Sequence, residues 1–116
     1  GLFCNALVCL ASWMVYASRT VVDKVFAVIF PISAFVAMGF EHCIANMFMI
    51  PVAIVASLNP EIVAVSGVST EAMQNLTVSG FMANLIPVTL GNIFGGSVMV
   101  GMSLYVIYLY GREEDC

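Results

Sequence analysis

Three stretches of this chain are nearly free of charge over lengths comparable to a bilayer. Residues 2–18 and 81–110 contain no Asp, Glu, Lys or Arg, and residues 25–58 contain only Glu41, which is followed by His42. At 1.5 Å per residue these would be helices of about 26, 45 and 51 Å, against a hydrocarbon thickness of roughly 30 Å. With 62% hydrophobic and 9% charged residues in 116, the chain has too little interior to hide so much apolar surface from water, so lipid must be its solvent. The expected fold class is an all-α polytopic membrane protein with three transmembrane spans, and the 116 residues read as a single transmembrane unit.

Charge excludes a nucleic-acid partner. The formal balance is −4 with three basic residues, Arg19, Lys24 and Arg112, too few to neutralise a row of phosphates. All three fall in segments that three crossings would leave on one face. The positive-inside rule puts the 19–24 connection and the tail 111–116 in the cytoplasm and the 59–80 loop outside. Cys4, Cys9, Cys43 and Cys116 have no CxxC spacing and suggest no disulfide framework. Residue 1 is a glycine already inside an apolar run, with no basic flank or cleavage site after it. The start is not expected to be a signal peptide, and the chain is expected to be the carboxy-terminal part of something longer.

The second block is too long for one straight span. Gly39 and the polar group Glu41, His42 and Asn46 predict an interruption at mid-depth, and irregular backbone is tolerated there only inside protein or against a water-filled cavity. The third block carries Asn84, Pro87, Gly91, Asn92, Gly95 and Gly96 and also reads as interrupted, with Gly91-xxx-Gly95 allowing close helix approach. Residues 59–80 read as a surface loop with short amphipathic structure. The Asn75-Leu76-Thr77 triplet matches a glycosylation acceptor, a pattern common by chance and without meaning in a cell that lacks the machinery.

An ionisable side chain in mid-membrane is costly and marks a pathway, a relay or a buried pair. His42 is therefore the leading functional candidate, and burial favours its neutral imidazole. Glu41 reads as a group that stabilises the break by accepting from freed backbone N–H groups. Asn5 shares a polar face of the first span with Val8, Cys9, Ser12 and Tyr16, and helix packing explains that face as well as a cavity lining does. Asn92 is a second polar point whose amide hydrocarbon cannot satisfy. A soft-metal reading of His42, Cys43, Met47 and Met49 fails because neighbouring helical residues point about 100° apart and no ligand pair is spaced elsewhere. No cofactor is expected. No serine sits in a nucleophile elbow and one histidine would have to serve them all, so an enzyme is not expected either.

The segments GLFCNALVCLASW at 1–13, GFEHCIANMFMIP at 39–51 and NLIPVTLGNIFGG at 84–96 resemble, in order and spacing, the formate/nitrite transporter family, nearest its formate channel branch. The resemblance implies the second inverted repeat of an aquaporin-like six-helix fold, in a homopentamer with a pore in each protomer of a bacterial inner membrane. It implies a central pore histidine at His42, a hydrogen-bonded asparagine at Asn92, and hydrophobic constrictions at Phe35 toward the cytoplasm and Val8 toward the outside. Glu41, Asn46, Asn5 and Thr89 would support them. The implied substrate is a small monovalent anion, formate first, moved with proton involvement. The competing readings are a nitrite channel of the same family and a non-conducting membrane scaffold.

Overall fold

In a computed structural model of the chain, residues 1–110 are described, apart from the side chain of Thr70. The expected charged tail, 111–116, lies outside the described residues. The described structure is entirely helical: α1 (Leu2–Ala17), α2 (Val21–Ala37), α3 (Cys43–Ala56), α4 (Pro60–Ser66), α5 (Thr70–Gln74), α6 (Val78–Phe94), a π-helical stretch (Gly95–Met102) and α7 (Ser103–Tyr108). Phe94 and Gly95, and Met102 and Ser103, all keep helical dihedrals. Val78–Tyr108 is thus one 31-residue helix, long and apolar enough to cross a membrane alone.

Local chemistry sets the helix ends. α2 starts with a reciprocal capping box in which Thr20 accepts from the Asp23 backbone N–H and the Asp23 carboxylate accepts from that of Thr20, satisfying two orphan donors. It ends at Met38 with Gly39 at φ 64°, a left-handed turn open to glycine at no steric cost. The Gly39 N–H returns to the Val36 carbonyl and the Phe40 N–H to the Phe35 carbonyl, the bonding pattern that closes a helix C-terminus around such a glycine. The chain is then extended at His42, which caps α3. The break predicted around Gly39–His42 is therefore a helix stop followed by a helix start, with the Phe35 and Val36 carbonyls answered on one side and the Ala45 N–H on the other.

The third block differs from expectation. The interruption expected within 81–110 is not a break: the helix continues, and its register changes to π over Gly95–Met102. Close packing against α1 accompanies the change. A Cβ on Gly95 would run into the Leu2 carbonyl oxygen, and one on Gly96 would meet the Asn5 amide and the Cys9 sulfur. The glycines let two backbones approach, as small residues do between membrane helices, while the wider register absorbs the distortion.

α1 runs parallel to the second half of the long helix. Gly1 and Leu2 sit at Asn92 and Gly95, and at the other end Trp13 lies against Tyr108 with ring centroids 6.4 Å apart. α2 returns antiparallel beside α1, so that Phe40 meets Phe3 at 6.1 Å. From the break α3 continues along the first half of the long helix, and α4 folds away from it at 113°. Among the described residues the buried apolar side chains are only Cys4, Ala11, Pro31 and Val88. Most large apolar groups face outward, as they do where lipid or further protein covers them.

Candidate functional site

Asn92 is 3% exposed and lies 14 residues from one end and 16 from the other of the helix Val78–Tyr108. Its amide is fully used. Nδ2 donates to the Gly1 carbonyl at 2.8 Å and to the Glu41 carbonyl at 3.1 Å, while Oδ1 accepts from the Cys43 N–H at 3.1 Å. One side chain thus answers a carbonyl and an N–H that the break leaves without helical partners, together with the carbonyl at the start of α1. Of the four residues Asn92 is the buried one, and an unmade bond at its amide would cost about 1–3 kcal/mol. The Asn92 carbonyl in turn accepts from Asn5 Nδ2 at 2.7 Å, which fastens α1 at the same level.

His42 is half-buried, and its Nδ1 accepts the Ala45 N–H at 3.3 Å. With Nδ1 occupied as an acceptor, the neutral ring carries its proton on Nε2. Phe35 stacks on this imidazole, with centroids 5.8 Å apart and planes 24° apart. The turn closed by Gly39 brings together two residues seven apart in sequence. Glu41 accepts from Asn46 Nδ2, and the same nitrogen donates to Asn84 Oδ1 at 2.8 Å. Asn46 is one turn into α3 and Asn84 is on α6, so this chain of side chains ties the carboxylate beside His42 to the long helix.

The structure brings His42, Asn92, Phe35, Glu41, Asn46 and Asn5 together around the break. Two other expected residues take no part in these bonds. Thr89 makes no side-chain hydrogen bond among the described residues. Val8 lines a hollow of about 320 Å³ with Ser12 and Tyr16 of α1 and Val28 and Ile32 of α2. α1 starts at Asn92 and runs toward the Arg19–Lys24 connection. Asn84 was visible in the sequence only as one polar residue in the third block. The available signal was that an amide in an uncharged apolar run needs a partner, and Asn46 offers it.

These features define a helical membrane protein built around a broken helix whose ends are secured by side-chain amides. A family model described as formate/nitrite transporter matches residues 1–106, and the chain belongs to that family. It is 50% identical over 118 residues to the formate channel FocA of Escherichia coli (strain K12) and 51% identical over 117 residues to FocB of the same organism, covering 99% and 98% of this chain and 41% of each relative. A solved pentameric formate channel with formate bound superimposes with a TM-score of 0.79 at 50% identity, covering 93% of this chain and 44% of that one. The chain thus spans about two-fifths of the length of these relatives.

Proposed function

We propose that this chain is the carboxy-terminal half of a formate channel of a bacterial inner membrane, and that the His42 break lines its pore. The observation that carries the reading is the Glu41–His42 break, held by Asn92 and covered on one side by Phe35, within a chain half identical to named formate channels. The formate-bound relative is pentameric, which supports a homopentamer in which every protomer has its own pore.

The topology follows from the same reading. The three blocks make three crossings, forming one repeat of an aquaporin-like fold of two inverted repeats. Residues 59–80 lie outside, and the 19–24 connection and the tail lie in the cytoplasm. Trp13 and Tyr108 pair at the end of α1 nearest that connection, where aromatic residues are enriched at a membrane interface.

Moving a bare carboxylate from water into a medium of dielectric about 4 costs on the order of 20 kcal/mol in the Born limit, and several kcal/mol after relaxation. Protonating an acid of pKa about 4 at pH 7 costs roughly 4 kcal/mol, at 1.36 kcal/mol per unit. The cheaper route draws the anion to the N-terminus of α3 and to the His42 Nε2–H, passes that proton to the carboxylate as Nδ1 releases the Ala45 N–H and takes a proton from water, and carries the neutral acid past the apolar ring of Phe35. In the alternative mechanism fixed dipoles stabilise the ion throughout and His42 supplies only a hydrogen bond.

The test is flux of formate, nitrite and hydrosulfide through the full-length protein in proteoliposomes, with and without an imposed pH gradient. Saturable formate flux that rises with the gradient is the expected result. Preferred nitrite flux would move the substrate within the family. Absence of flux for every anion in correctly assembled protein would leave a scaffold and end the channel reading.

A further inference from the structure

Asn46 has one amide nitrogen with two hydrogens, and both are committed: one to the Glu41 carboxylate and one to Asn84 Oδ1. An asparagine amide can be turned over with little change of shape, which exchanges its oxygen for its nitrogen. In the observed orientation Asn46 presents N–H to Glu41. Turned over, it would present a carbonyl oxygen to a carboxylate, and two acceptors without a proton between them repel. The Glu41 carboxylate therefore selects the first orientation. The Asn84 oxygen on α6 takes the second hydrogen of the same nitrogen and so ties the amide to the long helix.

We infer that Asn84 is a positioning residue of the pore: its side-chain oxygen anchors the Asn46 amide to the long helix, and that amide holds the Glu41 carboxylate beside His42. Asn84 is far along the chain from both residues and acts only through Asn46. The second amide of the long helix, Asn92, bonds solely to backbone at the break and so secures its path, whereas Asn84 bonds to a side chain and controls its chemistry. This inference rests on reading the break as pore lining.

The experiment uses the full-length protein in proteoliposomes and compares Asn84→Leu, similar in shape but lacking an acceptor, with Asn84→Asp, which keeps an oxygen at the same place. Pentamer assembly is checked in detergent for each. Asn84→Leu is expected to lower formate flux about five- to tenfold, the loss appropriate to one net hydrogen bond, and Asn84→Asp to restore most of it. In an Asn46→Leu background Asn84→Leu is expected to change flux less than about twofold, because the two residues form one unit.

Full flux in Asn84→Leu overturns the inference, as does an equal loss in both variants or a loss that persists undiminished in the Asn46→Leu background. If Asn84→Leu does not assemble, Asn84→Ala replaces it. Failure of both alongside assembly of Asn84→Asp makes the contact structural and also overturns the positioning role. Absence of formate flux in the unsubstituted protein is a different result, which removes the channel reading and this inference with it.

Discussion

Asn92 Oδ1 accepts the backbone N–H of Cys43 across 49 residues of sequence, at 3.1 Å, and this bond makes a discontinuity in one helix depend on the midpoint of another. Asn92→Leu fills the same space and removes an acceptor and two donors at once. It is expected to destabilise the protein by roughly 1–3 kcal/mol, since three part-buried hydrogen bonds are lost together and water can reach some of the partners left behind. Thermal unfolding of the assembled full-length protein in detergent measures it. An unchanged melting temperature would mean that the break is held elsewhere.

His42→Asn separates capping from proton chemistry. Asparagine is among the best N-cap residues, so the substitution keeps an acceptor for the Ala45 N–H that His42 Nδ1 now accepts while removing the imidazole. The expected outcome is an assembled channel that still passes anion but whose flux no longer responds to a pH gradient. Coupling that persisted with an unchanged pH profile would sink the relay and favour the fixed-dipole mechanism.

Phe35 covers one face of His42. Phe35→Ala removes the apolar ring that a charged species must pass, and is expected to raise flux several-fold and to weaken discrimination between formate and larger carboxylates. Uptake of lactate relative to formate into vesicles reports both. The same ratio in variant and parent would place the constriction elsewhere.

The glycines of the π stretch are expected to differ. Gly95→Ala drives a Cβ into the Leu2 carbonyl oxygen, which is backbone, whereas Gly96→Ala meets the ends of the Asn5 and Cys9 side chains, which can turn away. Overpacking of this kind costs about 1–3 kcal/mol. The melting temperature should fall further for Gly95→Ala than for Gly96→Ala, and the reverse order would contradict the close approach of α1.

At the exposed start of α2 the bonds from Thr20 hold the Asp23 carboxyl below its ordinary value of 3.8. A group whose folded pKa is depressed contributes stability that is present at neutral pH and lost as pH falls through that folded value. Asp23→Asn should therefore be less stable than the parent at pH 7, with the difference closing only below about pH 4. A gap of constant size from pH 7 to pH 3 would show that the charge plays no part.

Much of the fold was legible because lipid imposes simple constraints. Charge-free length marked the helical blocks, and Gly39 followed by Glu41 and His42 marked the break. The direction of α1 was not legible. Nothing in residues 2–18 says that Gly1 meets the middle of another helix. Nor did the sequence distinguish a broken third block from a continuous one, because Gly95 and Gly96 serve as well in a π register packed on a neighbour as in an unwound turn. Asn84 required knowledge of which amide it faces, a contact made between residues 38 apart.

The joint at Asn92 is closed through main-chain atoms only: the carbonyls of Gly1 and Glu41 and the N–H of Cys43. Main-chain atoms are the same whatever side chain is attached. Residues 41 and 43 can therefore be exchanged in evolution or by design without unfastening the joint. The same scaffold can carry differently tuned linings, and changing what passes through it need not mean rebuilding what holds it together.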